Sequence, residues 1–283
     1  MGLPVVSDRE IGLHLFLPPG ELTGALQRLG ALGHAAAAAG FDLVSTGEHH
    51  GDTTGYLPTP WPFLASLLTE LPTLRAGAYP VLAGLREPAL LVEECEVALA
   101  ALPGRLHLAV GLGYRDHDFR FCGTDPADAR RRFDEVLTTL RARRLPLDAV
   151  LVAGGGPRSR AAALEHGVGL LLPPLTAPDE ARTIGSYRDA GGPGRVVVQR
   201  WLAVGPADTA VYENLNAPWA PASLAPASPA ELADILGRAL EATGPGGVSV
   251  RIGGPLTDPD AVTAALDLCA AAISALRPSA VPT

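Results

Sequence analysis

The sequence predicts an α/β fold, a single (β/α)8 TIM barrel, from three observations. Short apolar segments and longer helix-like ones alternate eight times along the chain. The short segments are apolar at nearly every position, as strands covered by helices on both faces must be. Glycine and proline, 32 and 27 of 283 residues, punctuate these segments as turns and connections. Eight strand-helix units in a chain of this length close into a barrel more readily than they spread into an open sheet.

Each element has its own signal. Residues 11–17 read as the first strand, ending at Pro18-Pro19, and residues 22–39 as an alanine-rich helix stopped by Gly40. A strand over 41–45 precedes a helix over 60–71 with proline at its start. The third pair is a strand at 74–82 and a helix at 88–102, closed by Pro103-Gly104. The fourth strand, 106–110, runs into Gly111-Leu112-Gly113, and its helix over 126–144 carries Asp125 and Asp128 near its start, where the helix dipole favours them. A strand at 149–152 leads through Gly154-Gly155-Gly156 to a helix at 158–166. The last three pairs are 168–172 with 178–190, 196–204 with 228–242, and 248–252 with 260–276. Ser228 and Glu231 form a capping start for the seventh helix. The whole of 1–283 is read as one domain, with an irregular or lid-like loop at 206–228. Its Asn, Pro and Ser content resists a regular element, and Trp219 offers an anchor.

Composition narrows the function. The chain is 47% hydrophobic and 18% charged, which leaves little charge for its surface and favours a partner subunit over some apolar face. The helix from Leu90 onward is the candidate for that face, in a homodimer or a heterodimer. The net charge of -8, from 22 basic and 30 acidic residues, argues against nucleic acid as a partner. The arginines at 130–132, 141, 143 and 144 read as a solvated helix face with Asp134 and Glu135. Cys95, Cys122 and Cys269 are odd in number and far apart, so neither a disulfide framework nor a zinc site is expected. No metal and no membrane span are expected, because apolar stretches are broken by Gly, Pro and charge. Residues 1–10 have no basic-then-apolar signal pattern, so the expected compartment is the cytoplasm.

Barrel chemistry sits at the carboxyl ends of strands. After strand 2 comes Glu48-His49-His50, an acid and two imidazoles that suit proton transfer near neutral pH. The alternative is that Glu48 and one histidine only hold loop backbone. After strand 4, Gly111, Gly113 and Arg115 allow close approach of a flat or anionic ligand, or form only a turn. After strand 5, Gly155 and Gly156 feed a helix start bearing Arg158, Ser159 and Arg160, a candidate phosphate cradle or else a tight turn. This run is neither the dinucleotide Gly-x-Gly-x-x-Gly nor a P-loop. In strand 3, Ala76, Gly77 and Ala78 leave room for a planar ring, with Tyr79 either stacking on it or standing at the rim.

Four stretches resemble the bacterial luciferase-like monooxygenases, a flavin-dependent barrel family. They are Glu48-His49-His50 with 58–64, Thr73 to Gly77 with Arg86-Glu87-Pro88, Gly104-Arg105-Leu106 into Gly111-Leu112-Gly113, and Asp118-Phe119-Arg120 with Gly123. The resemblance implies reduced FMN in the barrel mouth, O2 as co-substrate, a small organic substrate and a separate flavin reductase. It implies that His49 is the catalytic proton shuttle, aided by Glu48 and His50. It also implies that Ala76, Gly77 and Ala78 border the ring beside a non-proline cis bond, and that the turn with Ser159 faces the phosphate. A related branch uses the deazaflavin F420 for hydride transfer, whose longer anionic tail needs a basic groove, with Arg75, Arg86 and Arg115 the candidates to line it. Some relatives are non-catalytic partner subunits. This chain departs from the luciferase alpha chain at Leu112, where that protein has a phosphate-binding arginine. It also departs in its short connection at 145–148 and its proline-rich stretch after strand 7. FMN is the first expectation.

Overall fold

The computed structural model describes residues 9–18, 20–51, 55–203, 224–253 and 258–277. The strands are β1 (Arg9–His14), β2 (Leu43–Thr46), β3 (Arg75–Leu82), β4 (Leu106–Gly111), β5 (Val150–Ala153), β6 (Gly169–Leu172), β7 (Val196–Leu202) and β8 (Gly246–Ile252). All pair in parallel and in sequence order, and β8 closes on β1. The helices among the described residues are α1 (Leu22–Ala38), α2 (Pro60–Glu70), α3 (Pro88–Ala101), α4 (Asp116–Cys122), α5 (Pro126–Ala142), α6 (Pro157–His166), α7 (Ala177–Asp189), α8 (Pro229–Thr243) and α9 (Pro259–Leu276). This is the (β/α)8 barrel that the alternation predicts.

Strand parity divides the apolar residues into two cores. Ile11, Val44, Ala76, Leu108, Val152 and Val198 face outward and join the core under the helices. Leu43, Tyr79, Ala109, Leu151, Leu171 and Val197 face inward and fill the barrel itself. Each large aliphatic side chain buried this way contributes about 1.5–3 kcal/mol. Below them Glu10 lies buried between Arg75 and Arg195, with His107 Nδ1 3.7 Å from its carboxylate. This polar floor ties β1, β3, β4 and the residue leading into β7 together at the end of the barrel opposite the mouth.

Several expectations need correction. β1 stops at His14, short of residue 17, and only Leu17 makes a further isolated bridge, to Gly55. The short helix α4 is absent from the sequence reading, because seven residues give too little periodicity to register. Most of the loop expected at 206–228, including Trp219, lies outside the described residues. Its end, Leu224, pairs with Leu202, and Ser228 caps α8 by accepting from the Glu231 N–H, as read. α9 is long and apolar enough to cross a membrane by length and composition. Here its Leu266, Cys269 and Ile273 are buried, and it packs on α8 and β8 as an outer helix of the barrel.

Candidate active site

The turn after β2 sends three neighbouring side chains to different tasks. Gly47 passes so close to β3 that a Cβ there would lie 2.9 Å from the Tyr79 carbonyl oxygen. Glu48 is buried and turned toward β3 and α3. It accepts from the Leu82 N–H at 3.1 Å, from Arg86 Nε at 3.0 Å and from His50 Nε2 at 2.6 Å. The His50 ring also stacks on Phe121, with centroids 6.5 Å apart. These contacts suit Glu48 and His50 to holding the loop, the second of the two roles the sequence left open for them.

His49 faces the barrel mouth. Its Nδ1 lies 2.5 Å from Asp118 Oδ2, and Asp118 Oδ1 accepts from the His50 N–H at 3.3 Å. An ionised carboxylate only accepts, so Nδ1 carries the proton and Nε2 keeps its lone pair while His49 is neutral. Burial lowers the His49 pKa. The bond to Asp118 raises it, Arg115 lowers it further, and the net direction is down. Burial alone would raise the Asp118 pKa, but the bonds from His49 and His50 outweigh it and hold the carboxyl below its ordinary value. The pair thus presents a neutral imidazole backed by a carboxylate, an arrangement fit to take and return a proton.

His49 opens on a cavity of about 310 Å3. Gly111, Leu112, Gly113, Tyr114 and Arg115 form the β4 wall, and Ala153, Gly154 and Gly155 the β5 wall. Tyr56 and Tyr114 meet the His49 ring edge-on, at centroid distances of 4.5 and 5.7 Å. Trp201 and Arg251 close the opposite side, and Tyr79 forms the bottom with its hydroxyl 3.2 Å from His107 Nδ1. His14 lies against Ser45, with Nδ1 to Oγ at 3.0 Å. Its pKa is pushed down to about 3, first by burial and then by the charge of Arg251.

The barrel brings His49, Gly111, Gly113, Arg115 and Gly155 to one cavity. Other expected residues lie elsewhere. Ala76 and Ala78 point outward into the helix-facing core, because alternate residues of a strand face opposite sides. Gly77 does point inward, but Tyr79 covers it, and a Cβ would meet that ring at 2.7 Å. Gly156 and Arg158 are exposed at the start of α6, and Ser159 sits under the Gly154 turn rather than in the cavity wall. The described cis peptide is Tyr79–Pro80, a proline bond, and not the expected non-proline one. Arg75 pairs with Glu10 at the floor, and Arg86 with Glu48 and Glu94, so neither lines a groove with Arg115. Sequence reasoning missed Asp118 as the His49 partner, and missed His14, Tyr56, Gln199, Trp201 and Arg251. The available signal was polar residues at inward positions of otherwise apolar strands.

The cavity walls fit a flat cofactor. A Cβ at Gly111 would stand 3.1 Å from Pro80, and one at Gly155 3.2 Å from Leu175, so a side chain at either position would crowd its neighbour. Arg115 lines the same cavity, and Gly155 of its β5 wall stands one residue before the Gly156 cap of α6.

A closed barrel with a carboxylate-held histidine at its mouth is an arrangement able to exchange a proton with a ligand bound there. The luciferase-like monooxygenase family model matches residues 13–144, just under half of the chain. It is 31% identical over 105 residues to the alkanal monooxygenase alpha chain of the Kryptophanaron alfredi symbiont, covering 37% of this chain and 29% of that one. It is 31% identical over 101 residues to 4-hydroxyprotoasukamycin monooxygenase of Streptomyces nodosus subsp. asukaensis, covering 36% and 27%. The chain thus matches less than a third of the length of these curated relatives. Among solved structures, monooxygenase RslO1 from Streptomyces bottropensis superposes with a TM-score of 0.74 at 20% identity, over 92% of this chain and 97% of that one. An F420-dependent secondary alcohol dehydrogenase, in complex with an F420-acetone adduct, superposes at 0.72 and 15%, over 95% and 99%. Both show the shared fold.

Proposed function

We propose that this protein is a flavin-dependent monooxygenase that uses reduced FMN and O2 to oxidise a small organic substrate. The observation that carries this reading is the His49–Asp118 pair facing a glycine-walled cavity within the stretch matched by the family. Gly111 and Gly113 would border the flavin ring, and Arg115 with Gly155 and the amino end of α6 would hold its phosphate. Arg115 takes the part that Leu112 lacks the charge to play. Bound reduced FMN supplies the electrons that activate O2.

The chain's own residues do the rest. His49 takes a proton at Nε2 and returns it, and Asp118 stabilises the imidazolium that forms meanwhile. Tyr79 and the inward apolar residues seal the barrel below, keeping water from the reacting atoms. A separate flavin reductase is the proposed source of reduced FMN. A second subunit is the proposed cover for α3, where Leu90 and Val97 are 61% and 70% exposed. The proposed compartment is the cytoplasm, in keeping with three free cysteines.

An anaerobic titration of the purified protein with FMN and F420, each oxidised and reduced, tests the reading. Tight binding of reduced FMN supports it. Preference for F420 moves the assignment to hydride transfer, and binding of neither makes the protein a non-catalytic luciferase-like subunit.

A further inference from the structure

We propose that Ser45 and Ser249, together with one water seated between Ser249 and Glu10, pass protons through the barrel from its floor to His14 at the cavity. The use made of those protons rests on the flavin reading, whereas the path itself rests on the barrel alone.

The inward residues of β1 are Glu10, Gly12 and His14, and their register partners on β8 are Gly247, Ser249 and Arg251. On its other side His14 pairs with Ser45 of β2. Polar side chains therefore follow this seam from floor to mouth, whereas Ala109, Leu151, Leu171 and Val197 make the middle of the other strands apolar. At about 3.3 Å per residue the stretch from Glu10 to His14 spans roughly 13 Å. His14 lines the cavity, and its Nδ1 lies 3.0 Å from Ser45 Oγ. Ser45 Oγ lies 3.4 Å from Ser249 Oγ, and both serines are buried.

A second, internal cavity of about 10 Å3, the space of one water, continues the line. Glu10 and Ser249 both border it, and so do Gly12 and Gly247, which have no side chains to fill it. A water there has a carboxylate and a hydroxyl as partners. Below, Glu10 pairs with Arg75 and Arg195, whose side chains are 15% and 20% exposed, so its carboxylate is one side chain from solvent.

A hydroxyl both donates and accepts, so each serine takes a proton on one lone pair and releases the one it held. A proton from solvent reaches Glu10, passes to the water, then to Ser249 and Ser45, and arrives at His14 Nδ1. The imidazole accepts it there and releases the proton on Nε2 to the cavity. Each hop forms one O–H or N–H bond and breaks another, and every group ends in the charge state in which it began. Burial and the charge of Arg251 keep His14 neutral, which leaves a ring nitrogen free to accept. Tyr79 and the inward apolar residues stop bulk water meanwhile, so protons pass where water does not.

A neutron structure of a deuterium-exchanged crystal tests the path without any cofactor. It should show a water hydrogen-bonded to Glu10 and Ser249, the Ser249 deuteron toward Ser45, and the Ser45 deuteron toward His14 Nδ1. A dry internal cavity, or a Ser45 hydroxyl turned to a backbone carbonyl, overturns the path. Its use is tested by mixing the protein, loaded with reduced FMN, with O2 in a stopped-flow spectrometer. Reoxidation of anionic reduced FMN to FMN and hydrogen peroxide consumes a proton. Ser249→Ala should slow it by about tenfold or more and raise its solvent deuterium isotope effect, with FMN affinity within about twofold of the parent. Ser249→Thr, which keeps the hydroxyl, should restore the rate. A parent-like rate in Ser249→Ala, or slowing with an unchanged isotope effect, overturns the role. If Ser249→Ala fails to fold, Ser45→Ala carries the same expectations. If the parent binds no FMN, the flavin reading fails separately, and the neutron structure decides the path.

Discussion

Asp118 Oδ2 lies 2.5 Å from His49 Nδ1, a bond that spans 69 residues and ties α4 to the end of β2. It fixes the imidazole tautomer and aligns the ring with the cavity. Since Asp118 also accepts from the His50 N–H, one carboxylate sets both the backbone and the side chain of this turn.

Replacing His49 with Ala should leave folding intact and cut turnover by about 10²-fold or more, as loss of a proton-transfer group does. Asp118→Asn should also cost roughly 10²-fold in kcat. The acidic limb of its rate profile should move to lower pH, because the bond from Asp118 is what raises the His49 pKa against burial. A pH–rate series on the two variants checks both, and an unchanged limb in Asp118→Asn would sink the orienting role.

Glu48 predicts a different outcome. Removing it strips a buried charge partner from Arg86 and an acceptor from the Leu82 N–H. Glu48→Ala should destabilise the protein by about 3 kcal/mol or more. The folded fraction should keep most of its turnover per bound FMN. Urea unfolding beside activity per flavin separates the two, and normal stability with lost turnover would restore Glu48 to the chemistry.

Gly155→Val tests the β5 wall. The new side chain would crowd Leu175, whose Cδ1 is 3.2 Å from the ideal Cβ position, and would intrude on the cavity. FMN affinity should fall by more than about tenfold, while the destabilisation stays near the 1–3 kcal/mol of ordinary overpacking. A drop in stability with FMN affinity preserved would make this turn purely structural.

Acid should unfold the barrel early. The pKa values of His14 and His107 are both pushed down from 6.5 to about 3, by burial and then by neighbouring arginines. In the unfolded chain they take protons near 6.5, so the unfolded state binds more protons between that pH and about 3. Their stabilising share is therefore complete above that window and declines as pH falls through it, by up to about 1.4 kcal/mol per pH unit for each histidine. Glu10, whose pKa is raised by burial, works in the opposite direction. Urea midpoints should drop between pH 7.5 and pH 5, and His107→Asn should flatten the slope. Constant midpoints would contradict buried neutral histidines.

The barrel was legible because each strand-helix unit carries a local signal, such as Pro60 opening α2 or Gly167 closing α6. The turn that carries His49 to the cavity was legible as a candidate too, since Glu48, His49 and His50 are adjacent. What could not be read was which of the three reaches the cavity, because that depends on Asp118 and Arg86, which arrive from other units. Parity decides Ala76 and Ala78, and it would have been readable from Tyr79, whose inward position sets Gly77 inward and its neighbours outward. His14, Trp201 and Arg251 escaped for another reason. They lie on β1, β7 and β8, and only closure of the sheet makes β1 and β8 neighbours.

That closure also divides labour along the gene. His49, Asp118, Tyr56, Tyr114 and Arg115 all fall within residues 13–144, while Gly155, Gln199, Trp201 and Arg251 come from the later half of the chain. Under the proposed function, recombination near residue 145 would keep the His49–Asp118 pair and exchange the Trp201 and Arg251 wall in one step, a route to new selectivity on the same proton-transfer pair.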